Sequence, residues 1–85
     1  MIENKVLVSV NVPSLEKVVD AYLPVNKKVY SVIAMLKNSL FELSQGSFSL
    51  DNDYVLYNAL DGSVYDMNKL IRDTDIRNGS VVILL

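Results

Sequence analysis

Eighty-five residues leave room for one domain around one hydrophobic core, so a single unit is expected over residues 1–85. Hydrophobic residues make up 51% and charged residues 21%, which excludes the polar, charge-rich composition of a disordered chain. The net charge of −2, with Lys27 and Lys28 the only adjacent basic pair, excludes the concentrated basic surface that nucleic-acid backbones require.

From Lys5 to Val12 the sequence alternates strictly. Val6, Val8, Val10 and Val12 fall on one face and Lys5, Leu7, Ser9 and Asn11 on the other, the pattern of a half-buried strand. Pro13-Ser14-Leu15-Glu16 supplies turn chemistry. Lys17 to Leu23 then resumes a period of two that groups Val19, Ala21 and Leu23, so the two runs read as a hairpin.

Pro24 closes the second strand, and Asn26 is a candidate N-cap for the helix that follows. Val29, Val32, Ile33, Leu36, Leu40 and Leu43 fall on one stripe at about 100° per residue, with Tyr30, Ala34 and Phe41 along its flank at the expected edge of the core. Gly46, among serines, ends the helix. A loop through Asp51-Asn52-Asp53 leads to a strand at Tyr54 to Asn58, a turn at Leu60-Asp61-Gly62-Ser63 and a brief return at Val64-Tyr65. Leu70 and Ile76 are the expected anchors of the stretch 66–76. Asn78-Gly79 makes the last turn before a strand from Ser80 to Leu85.

A hairpin, a crossover helix and a final strand apolar on both faces predict a mixed four- to five-stranded sheet. The last strand lies in its middle and one helix packs across it, a two-layer α+β design.

Chemistry is notable by omission. The sequence has no histidine and no cysteine, which removes the commonest general base, Ser–His and Cys–His nucleophile pairs, disulfides and thiolate metal sites. Gly46, Gly62 and Gly79 are too far apart for a phosphate-cradling loop. Asp51-Asn52-Asp53 and Asp73-Thr74-Asp75 each begin like a calcium loop, but Val55 and Arg77 stand at the fifth position, and Gly62 and Leu84 at the twelfth where a glutamate is required. Both read as turns. The five tyrosines are not interleaved with arginine as in single-strand nucleic-acid platforms. The expectation is therefore no enzyme, no catalytic residue, no metal and no cofactor. Met1-Ile2-Glu3-Asn4-Lys5 lacks the charged and apolar regions of a secretory signal, and the run Val81 to Leu85 is far short of the ~20 residues that span a bilayer. A cytoplasmic protein with no direct membrane insertion is expected.

One feature carries functional content. If Val82 and Leu84 face the helix, Val81, Ile83 and Leu85 face away from it, where a water-exposed sheet would normally be polar. Leu7 and Leu56 are expected on that same outer face, on strands flanking the last one. Leu7, Leu56, Val81, Ile83 and Leu85 then form an apolar patch of the kind that binds a protein partner, unless a loop or the N-terminal residues cover it.

The order of elements resembles ubiquitin along nearly the whole chain, including the closing Leu70-Ile71-Arg72-Asp73-Thr74-Asp75-Ile76 before a strand. The resemblance implies a β-grasp fold and places Leu56, Ile83 and Leu85 on or beside ubiquitin's recognition patch. The chain is more closely similar to the YukD/EsaB family, the small ubiquitin-like proteins encoded with type VII secretion systems of Gram-positive bacteria. Ala21-Tyr22-Leu23-Pro24-Val25 with Lys28-Val29 resembles that family's strand-to-helix junction, and Ile76-Arg77-Asn78-Gly79-Ser80-Val81-Val82-Ile83-Leu84-Leu85 its ending. This implies an accessory or regulatory protein whose partner belongs to the cytoplasmic part of a membrane secretion complex. The sequence has no Gly-Gly after Leu85, so neither conjugation nor ThiS- or MoaD-like sulfur carriage is expected. Two alternatives stand beside this reading: a sulfur or conjugation carrier whose tail is missing, and a structural domain that forms a homodimer through the patch or an exposed strand edge.

Overall fold

A computed structural model describes residues 4–85. β1 (Lys5–Val12) and β2 (Lys17–Pro24) form an antiparallel hairpin whose register runs from Lys5 opposite Pro24 to Val12 opposite Lys17. The period of two puts Val8, Val10 and Val12 into the core with Leu23, while Val19 and Ala21 are packed at its margin. A single 3-10 turn at Pro13–Leu15 joins the strands, and Glu16 closes it in a left-handed conformation with its N–H donating to the Pro13 carbonyl at 3.0 Å.

α1 (Val29–Leu43) buries Val29, Val32, Ile33, Leu36 and Leu40, the stripe its spacing predicts. Leu43, expected to continue that stripe, is 63% exposed, and Tyr30, Ala34 and Phe41 are exposed instead of marking the core's edge. The core draws two aromatics from outside the helix. Phe48 and Tyr54, from the long loop after the helix, are buried and stacked with ring centroids 4.8 Å apart.

The helix N-terminus also differs from expectation. Lys28 holds the cap position, and Asn26 instead accepts a hydrogen bond from Arg72 Nη1 at 3.0 Å. The leading helical N–H groups are satisfied by backbone: Val29 donates to the Lys69 carbonyl at 2.9 Å and Tyr30 to the Met67 carbonyl at 3.1 Å. Segment 25–28 runs beside 69–72, with Lys28 bridged to Leu70 and the Ile71 N–H donating to the Lys27 carbonyl at 2.9 Å. At the other end Gln45 N–H bonds the Glu42 carbonyl and Gly46 N–H bonds the Phe41 carbonyl, a Schellman pattern with Gln45 at φ 55° and Gly46 at φ 88°.

β3 (Leu56–Asn58) and β4 (Val81–Leu84) complete a four-stranded sheet of order β2-β1-β4-β3. β4 runs parallel to β1 and antiparallel to β3, so the sheet is mixed and the last strand lies inside it, as predicted. The return at Val64 is a single bridge to Tyr57, so the sheet has four strands among the described residues. Ile71 and Ile76 are the buried anchors of the stretch before β4; Leu70, expected in that role, is only partly buried, because the bridge to Lys28 places it at the margin and turns Ile71 inward.

Candidate protein-docking face

The sheet has one face under α1 and one face open. Cross-strand partners share a face, so the strand registers assign each side chain. On β4, Val82 and Leu84 are fully buried, while Val81 and Leu85 are 46% and 57% exposed and Ile83 is half-buried, the division that alternation predicts.

Leu56 does not belong to the open face. It pairs with Leu84, is fully buried in the core, and so lies beneath the helix. The expectation was off by one residue, and with a period of two a one-residue slip reverses every side chain of a strand. Tyr57, opposite Ile83, takes the outer position instead. Val55 joins it: the Val55 and Leu85 backbones exchange hydrogen bonds at 3.0 and 3.1 Å, which sets them side by side. Val64, 59% exposed, extends the row beyond Tyr57 through the bridge between them.

The apolar surface therefore runs from Val64 and Tyr57 across Ile83, with Val55 and Leu85 on one side and Val81 on the other. Leu7, 38% exposed, lies at the far end of β1 opposite Tyr22, so it borders the patch diagonally from Val81. Ser9 and Asn11, opposite Val81 and Ile83, form a polar strip between this surface and β2. No described loop covers the patch; the N-terminal residues named as its other possible cover lie partly in 1–3, outside the described residues. Nothing in the sequence of β3 distinguished the two assignments, because Tyr54 and Leu56 on one parity and Val55 and Tyr57 on the other are all apolar.

One end of the patch is braced by a polar network. Asp75 accepts a hydrogen bond from Tyr65 Oη at 2.8 Å and another from Asn58 Nδ2 at 3.1 Å, and Asn58 Oδ1 in turn accepts from the Leu60 N–H at 2.8 Å. Asn58 is nearly buried at the end of β3, and these bonds satisfy it. Burial, and then the Asp75 carboxylate, push the Tyr65 phenol well above its ordinary value. Asp75 thus holds the turn after β3, and Thr74 beside it closes its own turn by donating to the Ile71 carbonyl at 2.6 Å. The Asn78 side chain accepts from the Leu7 N–H at 2.8 Å and Gly79 donates to the Leu7 carbonyl at 2.8 Å, which fixes the start of β4 against β1. Among the described residues no three metal-ligating side chains converge, and no helix is long and apolar enough to cross a membrane.

No family model and no curated protein sequence matches the chain. Solved structures do match. The ubiquitin-like domain of the Mycobacterium tuberculosis type VII secretion system protein ECCD1 superposes with a TM-score of 0.74 at 13% identity, over 95% of this chain and 97% of that one. A chain of the MycP5-free ESX-5 inner membrane complex in state II matches with a TM-score of 0.71 at 16% identity, over 96% of this chain but only 21% of its own length. The N-terminal ubiquitin-like domain of the 4931431F19Rik protein matches with a TM-score of 0.66 at 18% identity, over 96% and 74% of the two chains. At such identities the likeness is one of fold. With its four-stranded mixed sheet and single helix across one face, the chain has the ubiquitin-like β-grasp fold.

Proposed function

We propose that this chain is a protein-binding accessory or regulatory component of a bacterial type VII secretion system, of the YukD/EsaB kind. It acts in the cytoplasm without catalysing a reaction or carrying a cofactor, by docking a protein of the membrane secretion complex. The observation that carries the reading is the open apolar face built from Tyr57, Ile83, Val81, Leu85, Val55 and Val64 on a fold shared with the ubiquitin-like domain of ECCD1. Exposed Val64, Val81 and Leu85 joined by half-buried Val55, Tyr57 and Ile83 make a contiguous apolar surface of the kind that marks an interaction site, and Tyr57 supplies the aromatic anchor such surfaces favour.

Leu56, once expected in this patch, is unsuited to the test, because truncating it would damage the core. Ile83→Lys combined with Tyr57→Ala places the change on the open face. A strain lacking this gene is expected to stop exporting type VII substrates, and the wild-type chain should restore export where the double variant does not. Normal export in the deletion strain would refute the secretion role, and full rescue by a folded double variant would refute the patch.

A further inference from the structure

The turn that leads into β4 carries a reactive pair. Of the eight asparagines in the sequence, Asn78 alone is followed by glycine. Asn-Gly is the dipeptide most prone to deamidation, because glycine has no side chain to obstruct the approach of its nitrogen to the asparagine amide carbon. The Gly79 nitrogen, having lost its proton, attacks Asn78 Cγ. A C–N bond forms there and the side-chain nitrogen leaves as ammonia. Water then opens the five-membered imide. Opening at one carbonyl gives aspartate; opening at the other gives isoaspartate, whose main chain runs through the side-chain carbon. Water is the only co-reactant.

The folded turn opposes each part of that step. Ser80 N–H donates to the Arg77 carbonyl at 3.0 Å, with Gly79 at φ 87° and Asn78 at negative φ, the arrangement of a type II turn. In such a turn the first central residue has ψ of about +120°, which directs the Gly79 nitrogen away from the Asn78 side chain; ring closure needs ψ of the opposite sign. Gly79 N–H also donates to the Leu7 carbonyl at 2.8 Å, so the proton that must leave is held. Asn78 Oδ1 accepts from the Leu7 N–H at 2.8 Å, which fixes the carbon under attack. Both bonds end on one residue of β1, so a single local opening releases both. Solvent access is no barrier, because Asn78 and Gly79 are exposed.

The same clasp sets the register of the parallel strands. Immediately beyond it Ser9 N–H donates to the Ser80 carbonyl at 3.0 Å, and Ser9, Val10 and Asn11 pair with Val81, Val82 and Ile83. An isoaspartate adds one carbon to the main chain ahead of Gly79, so the Gly79 and Ser80 bonds to β1 no longer fall in step. β4 places Val82 and Leu84 in the core, and the loss of register reaches them directly.

We propose that Asn78 is a modification site gated by the fold: it deamidates only when the Leu7 clasp opens, and the isoaspartate formed prevents β4 from pairing again with β1. The aspartate product keeps the main chain and an acceptor oxygen for the Leu7 N–H, and leaves the pairing intact. The gate is independent of whatever docks on the open face.

The test is incubation of the whole protein at mildly alkaline pH, native and unfolded in urea, followed by peptide mass spectrometry with chromatographic separation of the aspartate and isoaspartate forms. Conversion at Asn78 is expected in the unfolded chain, and conversion at least roughly tenfold slower in the native protein. The purified isoaspartate form should unfold at lower urea and lose hydrogen-exchange protection at the Ser9 and Gly79 amides, whereas Asn78→Asp should match the wild-type protein in both. Equal rates in the native and unfolded protein, or no conversion at Asn78 in urea, would overturn the gate. An isoaspartate form as stable and protected as the wild type, or an equal loss in Asn78→Asp, would overturn its consequence.

Discussion

Leu56 and Ile83 are both aliphatic residues of the sheet, yet they do opposite work. Leu56 is fully buried against the helix, so Leu56→Ala is expected to cost about 2–5 kcal/mol in chemical denaturation, through lost burial and the cavity left behind. Ile83 is half-buried on the outer face, and Ile83→Ala should cost about 1 kcal/mol or less. Equal losses would contradict the assigned register. Tyr65 supplies a test by pH. Burial and Asp75 hold its phenol above the ordinary value of 10.0, so folding favours the neutral form more than the unfolded chain does. That contribution is complete below the unfolded value and is lost as pH rises toward the folded one. Wild-type stability should therefore fall more steeply than that of Tyr65→Phe as pH rises above about 10; parallel curves would show that the phenol is not held this way. At this scale the sequence was legible where one parity was apolar and the other polar, as in β1. It was illegible in 54–57, where every residue is apolar and only the pairing with β4 decides which side chain turns inward.

At the scale of elements, alternation located β1 and β2, and helical spacing located α1, because each pattern extends over at least two turns or four alternations. Short elements had no such support. β3 has three residues and owes its existence to β4, and the capping of α1 comes from carbonyls some forty residues away, which no local rule for Asn26 foresees. This long-range cap makes a prediction. The amides of Val29 and Tyr30, which fray in most helices, should exchange with solvent as slowly as mid-helix amides, because they donate to Lys69 and Met67. Rapid exchange at both positions would mean that the 67–69 segment does not hold the helix. The turn into β4 carries a similar expectation: at φ 87° Gly79→Ala forces a side chain into the left-handed region and should lower stability by about 1–2 kcal/mol, measured by denaturation.

Across the whole molecule, topology turns local patterns into surfaces. Placing β4 between β1 and β3 gathers Val81, Ile83 and Leu85 with Tyr57 and Val55, residues that no contiguous stretch of sequence joins. The fold class and the outer face of β4 were readable in advance, since a last strand apolar at every position must bury one face and offer the other. The remainder of the patch was not, because it depends on a three-residue strand and on a single bridge at Val64. The most direct measurement is calorimetric titration of this protein against the cytoplasmic region of a type VII secretion membrane complex, the partner proposed for it. Saturable binding that is abolished by Ile83→Lys with Tyr57→Ala, both proteins remaining folded, is the predicted result. Undiminished binding by that variant, or none by the wild-type protein, would contradict the account.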